Sequence, residues 1–89
     1  MKVKVRNMQS SRGNNVANQF VITADDGMFF QSYSTIIAFR PYSGKIQLDA
    51  NAWDCSVTTS RYRNYFLGEK KAETQRSIDA GDYELVDLN

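Results

Sequence analysis

Histidine is missing from this chain, and cysteine and proline occur once each, as Cys55 and Pro41. Zinc sites of the common Cys/His kind, and the Cys-His and Ser-His-Asp nucleophile systems, therefore have no residues to be built from. A single cysteine forms no intrachain disulfide, and nothing in its surroundings lowers a thiol pKa, so Cys55 reads as a buried, inert side chain. Long apolar runs are lacking as well. The longest, Ile36 to Phe39, is strand-sized and far short of the roughly 20 residues that cross a bilayer, and no apolar run follows the basic start as a signal peptide requires. These absences predict a cytoplasmic protein with no catalytic residue, no metal and no cofactor. The chemistry left open to an enzyme is that of paired carboxylates or oxygen-ligated metals, and the ten acidic residues show no calcium-loop spacing, so we expect no enzyme.

What is present describes a small globular domain. With 89 residues, 42% hydrophobic and 24% charged, the whole of 1–89 is expected to form one domain with room for a sheet and one or two helices. The net charge of +1 hides an asymmetry: residues 1–13 hold Lys2, Lys4, Arg6 and Arg12 without an acid, and residues 79–89 hold Asp79, Asp82, Glu84 and Asp87 without a base. One reading is a basic arm that faces nucleic acid. The other, which we favour, is that the two terminal segments pair as neighbouring strands with complementary side chains.

Local patterns place the elements. Val3 and Val5 alternate with Lys2, Lys4 and Arg6 as a short edge strand, and 9–15 is a polar loop. Asn18 to Ala24 and Met28 to Tyr33 read as a hairpin about Asp25-Asp26-Gly27, where Asp-Gly supplies positive φ angles. Adjacent carboxylates there are turn chemistry rather than a metal site. Ile36 to Phe39 is a central strand; Arg40 to Lys45 is a turn; Ile46 and Leu48 mark another strand. After Trp53, a core-edge residue, Thr58 or Thr59 is the expected N-cap of a short helix with Arg61 to Leu67 and a stop at Gly68. Glu69 to Ala80 reads as a longer helix whose thin inner stripe is Ala72, Gln75 and Ile78, and Tyr83 to Leu88 as a last strand beside residues 2–6. The predicted class is α+β: an antiparallel sheet of four to six strands in a meander, with one short and one longer helix near the C-terminus.

The richest candidate surface is Arg61-Tyr62-Arg63-Asn64-Tyr65-Phe66, where basic and aromatic residues interleave. Tyr62 and Phe66, four apart, would close the core, leaving Arg61, Arg63 and Asn64 outward with Lys70, Lys71 and Arg76 beyond. Those six residues are the candidate nucleic-acid-binding set, since arginine and lysine contact phosphates and tyrosine stacks on bases. The sheet aromatics Phe20, Phe29, Phe30 and Tyr33 offer a further stacking face. The near-neutral charge weighs against a dedicated nucleic-acid binder. The competing expectation is a protein–protein module that uses the acidic C-terminal segment or an exposed aromatic patch. A homodimer is also in keeping with exposed sheet edges.

One resemblance runs through much of the chain. The segments Asn18-Gln19-Phe20-Val21-Ile22, Gly27, Phe30 to Ala38, Leu48-Asp49, Trp53-Asp54, Thr58-Thr59, Arg63-Asn64 and Phe66-Leu67-Gly68 resemble a group of small uncharacterised bacteriophage proteins. The likeness extends from Asn18 to Asn89. It implies a phage-encoded protein of the host cytoplasm and brings no known activity. Set in the infected cell, the residues' own reading is a binding protein for nucleic acid or a nucleoprotein complex, or else a module for host takeover that binds a host or phage protein, such as an inhibitor of a defence or replication enzyme. The resemblance brings no catalytic residue or cofactor to this chain.

Overall fold

Period-two alternation makes strands of the first half of the chain, and a change to helical spacing after Ser56 makes two helices of the second. The computed structural model describes residues 2–89. Its elements are β1 (Lys4–Gln9), β2 (Asn15–Ala24), β3 (Gly27–Ser32), β4 (Thr35–Pro41), β5 (Gln47–Asp49), α1 (Val57–Leu67), α2 (Lys71–Asp79) and β6 (Glu84–Val86). The strands form one six-stranded sheet in sequence order. Neighbours from β1 to β5 are antiparallel, and β6 joins β5 in parallel after the two helices. The domain is α+β, with a mostly antiparallel mixed sheet.

Register sorts the two faces. Arg6, Val21, Phe30, Ala38 and Leu48 lie side by side across β1 to β5. Phe30 stacks on Phe66 of α1 with ring centroids 5.8 Å apart, so this row looks toward the helices. Val21, Phe30, Ala38 and Leu48 are buried there with Ile37, Tyr62, Phe66 and Leu67. Burial of each large side chain among them is worth about 1.5–3 kcal/mol. One residue along each strand, Val5, Ile22, Phe29, Phe39, Gln47 and Glu84 form the parallel row on the opposite face.

Several expectations are corrected by this topology. β1 and β6 occupy opposite edges of the sheet, so the basic and acidic terminal segments do not pair. After the helices the chain returns beside β5, whose outer edge is still unpaired, whereas β1 lies beyond β2, β3 and β4. The helix N-cap is Ser56, with extended φ and ψ of −159° and 164°. Its Oγ accepts a bond from the Thr59 N–H at 3.1 Å, while Thr59 turns inward and its hydroxyl lies 3.0 Å from that of Ser32. The earlier start makes α1, with 11 residues, the longer helix. The second has nine, because Glu69 and Lys70 form the connection. It buries Thr74 and packs Ile78 against the core, while Ala72 is exposed.

Asp25 and Asp26 do link β2 to β3, but neither has positive φ. Gly27 is the first residue of β3 and is needed for close approach: a Cβ there would lie 2.7 Å from both Phe39 Cε1 and Pro41 Cα. Cys55 is exposed rather than buried, because it stands in the turn that precedes α1. At the end of the chain, Asn89 substitutes for a strand beyond the short β5. Its side chain accepts from Ile36 N–H at 2.8 Å and donates to Ile36 C=O at 2.9 Å.

Candidate nucleic-acid interface

Helix α1 divides the interleaved segment by its own geometry. Thr59, Tyr62, Arg63, Phe66 and Leu67 are buried, and Arg61 and Tyr65 are turned to the outside. Gly68, in the left-handed region at φ 70°, ends the helix and bonds back to Asn64 C=O at 2.8 Å. Tyr62 and Phe66 close the core as expected.

Arg63 does not face outward; its side chain is 0% exposed. The helical turn places it over Trp53, with the guanidinium 5.1 Å from the ring centroid. It donates to Trp53 C=O at 2.6 Å and to Asn64 Oδ1 at 3.1 Å, and stands 3.5 Å from Asp54 Oδ1. Arg63 is thus a structural clamp between the Trp53 turn and α1. Asn64, half-buried, is partly committed to holding it. Lys71 is exposed but ion-paired to Asp54 Oδ2 at 2.6 Å, which joins α2 to the same turn.

The remaining candidates separate into two groups. Arg61, Asn64 and Lys71 line one shallow cleft together with Tyr65, Val57 and Asp54. Lys70 and Arg76 are exposed on and before α2 and line neither this cleft nor its neighbour. The neighbouring cleft, about 700 Å³, lies between α1 and the β1–β2 hairpin and was not foreseen from sequence. Arg6, Asn7, Gln9 and Asn15 contribute from the hairpin, Arg40 from β4, and Tyr65 and Phe66 from α1, with no acidic residue in the lining. Arg40 lies 5.5 Å from the Phe66 ring centroid and donates to Leu67 C=O at 3.2 Å. Tyr65, 51% exposed, belongs to both clefts and makes them one continuous surface. The only sequence signal for Arg6 and Arg40 is register: each sits in a helix-facing row of its strand, Arg6 beside Val21 and Arg40 beside Met28.

A model of a family of unknown function, DUF8033, matches residues 3–82. The chain belongs to that family. Neither curated proteins nor solved structures give a match. The DUF8033 span contains both clefts, the Arg63 clamp and both helices, and ends before β6.

Electrostatics within this DUF8033 member follow from the contacts. The hydrogen bond from Lys71 is the main cause holding the Asp54 carboxyl below its ordinary pKa, with Ser60 and Arg63 adding to it against the opposing effect of burial. Tyr83, whose hydroxyl donates to Glu69 Oε1 at 2.7 Å, has its pKa pushed up to about 12 by burial first and by the adjacent carboxylate second. The other Glu69 oxygen accepts from Thr74 Oγ1 at 2.6 Å, so Glu69 ties α2 to the segment leading into β6. Among the described residues, no group of three His, Cys, Asp or Glu side chains is arranged to hold a metal ion. Among the same residues, no helix is long and apolar enough to cross a membrane.

Proposed function

We propose that this DUF8033 member is a non-enzymatic, phage-encoded accessory protein that binds single-stranded nucleic acid in the host cytoplasm. The supporting observation is the continuous surface through Tyr65, which has Arg6 and Arg40 on one side without an acid and Arg61 and Lys71 on the other. Cations spaced along a groove with an exposed aromatic ring suit phosphates and an unpaired base. Asn7, Gln9 and Asn15 add neutral hydrogen-bonding groups at the same wall. Lys70 and Arg76 contribute diffuse positive potential nearby. The likeness of Asn18 to Asn89 to small bacteriophage proteins supports the phage setting.

The test is fluorescence anisotropy with a labelled single-stranded oligonucleotide over a salt series. Each phosphate neutralised on a single strand contributes about −0.7 to the slope of log K against log salt, so four cations predict a slope of roughly −2 to −3. Arg6→Ala with Arg61→Ala should halve that slope and weaken binding. Asp54→Asn should strengthen binding, because it removes an anion from the cleft and frees Lys71. No binding at low salt ends the proposal, as does a protein partner that survives nuclease treatment and occupies this surface.

A further inference from the structure

The sheet has a second face on which no element of the chain packs among the described residues. Its central row is Val5, Ile22, Phe29 and Phe39, followed by Gln47 and Glu84 at the β6 edge. Phe29 and Phe39 stack at 4.3 Å in the middle of it, and Val5 is 61% exposed at its β1 end. Phe20 and Ile36 stand in the next row of the same face, paired respectively with Asn7 and Gln31. Apolar rows of this extent on a sheet call for a cover.

We propose that the cover is a second copy of this chain. Two sheets pack face to face about a twofold axis that runs parallel to the strands between β3 and β4. Size permits it. The 35 strand residues, at about 3.3 Å rise and about 4.8 Å spacing, offer roughly 550 Å² per copy, or roughly 1,100 Å² for the pair, just above the roughly 1,000 Å² that a specific interface should clear. Aligned face-to-face packing is a standard solution for twisted sheets.

Charge selects both the partner and the axis. A twofold parallel to the strands lays each β1 over the β6 of the other copy and each β2–β3 turn over the other's β4–β5 turn. Lys4 and Arg6 belong to the helix-facing rows and stay outside this interface, so the charges that meet across it are those of the turns. Asp25 and Asp26 meet Lys45, an exposed lysine whose Nζ donates to Gly81 C=O in its own chain. Phe29 comes to lie over Phe39 of the other copy. An axis across the strands would instead set Glu84 against Glu84, which disfavours it. The acids at this end also argue against a nucleic-acid strand as the occupant, because they would repel phosphates.

Light scattering coupled to size exclusion at submillimolar concentration is the test, with the full chain. Twice the chain mass is expected for the wild type. Ile22→Lys should give a single chain with an unchanged helical circular dichroism signal. Charge reversal supplies an independent check where Ile22→Lys fails to fold: Lys45→Glu alone, or Asp25→Lys with Asp26→Lys alone, should each weaken the dimer about tenfold, and the combination should restore it. A wild-type protein of one chain mass overturns the proposal. So does a dimer indifferent to Ile22→Lys, or a charge swap in which the combined variant is no tighter than its parents.

Discussion

Arg63→Ala is the substitution whose outcome discriminates most sharply between a contact residue and a clamp. The guanidinium is fully buried, donates at 2.6 Å to Trp53 C=O and at 3.1 Å to Asn64 Oδ1, and covers the Trp53 ring. A hydrogen bond from a charged donor contributes about 1.5–3 kcal/mol, and the cation over the ring about 1 kcal/mol. Truncation also leaves Trp53 C=O and Asp54 without this partner, and opens a cavity of side-chain size. Together these give a loss of about 3–4 kcal/mol. A domain of 89 residues has a total stability of about 4–13 kcal/mol, so about a quarter or more of it would go. The midpoint of thermal unfolding should fall by roughly 12–30 °C. Arg63→Met, which keeps volume over Trp53, should cost distinctly less than alanine. Arg61→Ala, two residues away on the exposed face, should change stability by no more than about 0.5 kcal/mol. Urea unfolding followed by circular dichroism gives all three values on one scale. A loss under about 1 kcal/mol for Arg63→Ala, or an equal loss for Arg61→Ala, would refute the clamp.

Two further outcomes concern the fold. Gly27→Ala should destabilise by about 1–3 kcal/mol in the same urea assay, since the new methyl meets the β4 backbone at Arg40 C=O and Pro41 Cα as well as the Phe39 ring; a neutral result would mean that β3 and β4 separate more easily than their spacing implies. For Tyr83, the phenol is retained in the folded state up to about 12 while the unfolded value is 10.0. Its contribution to stability is therefore full below pH 10 and declines as the pH rises through about 12. Phenolate absorbance of the native protein should show an ionisation near pH 12 that Tyr83→Phe removes, and the same step in both proteins would assign it elsewhere.

Much of the sheet was legible because its signals are local. Alternation about Val21 and Leu48, the hairpin about Asp25-Asp26-Gly27, and the Tyr62–Phe66 spacing each depend on residues within one turn or one hairpin. The helix boundary was less so. Ser56, Thr58 and Thr59 are all competent N-caps, and the inward contact of Thr59 with Ser32, distant in sequence, settles which one serves. Left-handed backbone at Tyr33, φ 56°, had no residue signal, whereas Asn18, φ 66°, is of a type that enters this region more readily than most. The two are linked by a 2.6 Å bond from Tyr33 N–H to Asn18 C=O, so neighbouring strands hold both positions.

By itself, then, the amino-acid order determined an α+β domain, its strands up to β5, two C-terminal helices and an arginine-aromatic segment facing two ways. Tertiary structure alone decided which of those arginines is available. Arg61 and Arg63 have the same chemistry and differ by two positions on α1, yet the Trp53 turn passes over only one of them. It also decided that Arg6 and Arg40, far apart in the chain, share a wall with Tyr65, and that the oppositely charged ends stand at opposite edges of the sheet. Helical and strand periods are written in neighbouring residues, whereas strand order and the meeting of distant side chains depend on which unpaired edge and which apolar face the returning chain encounters.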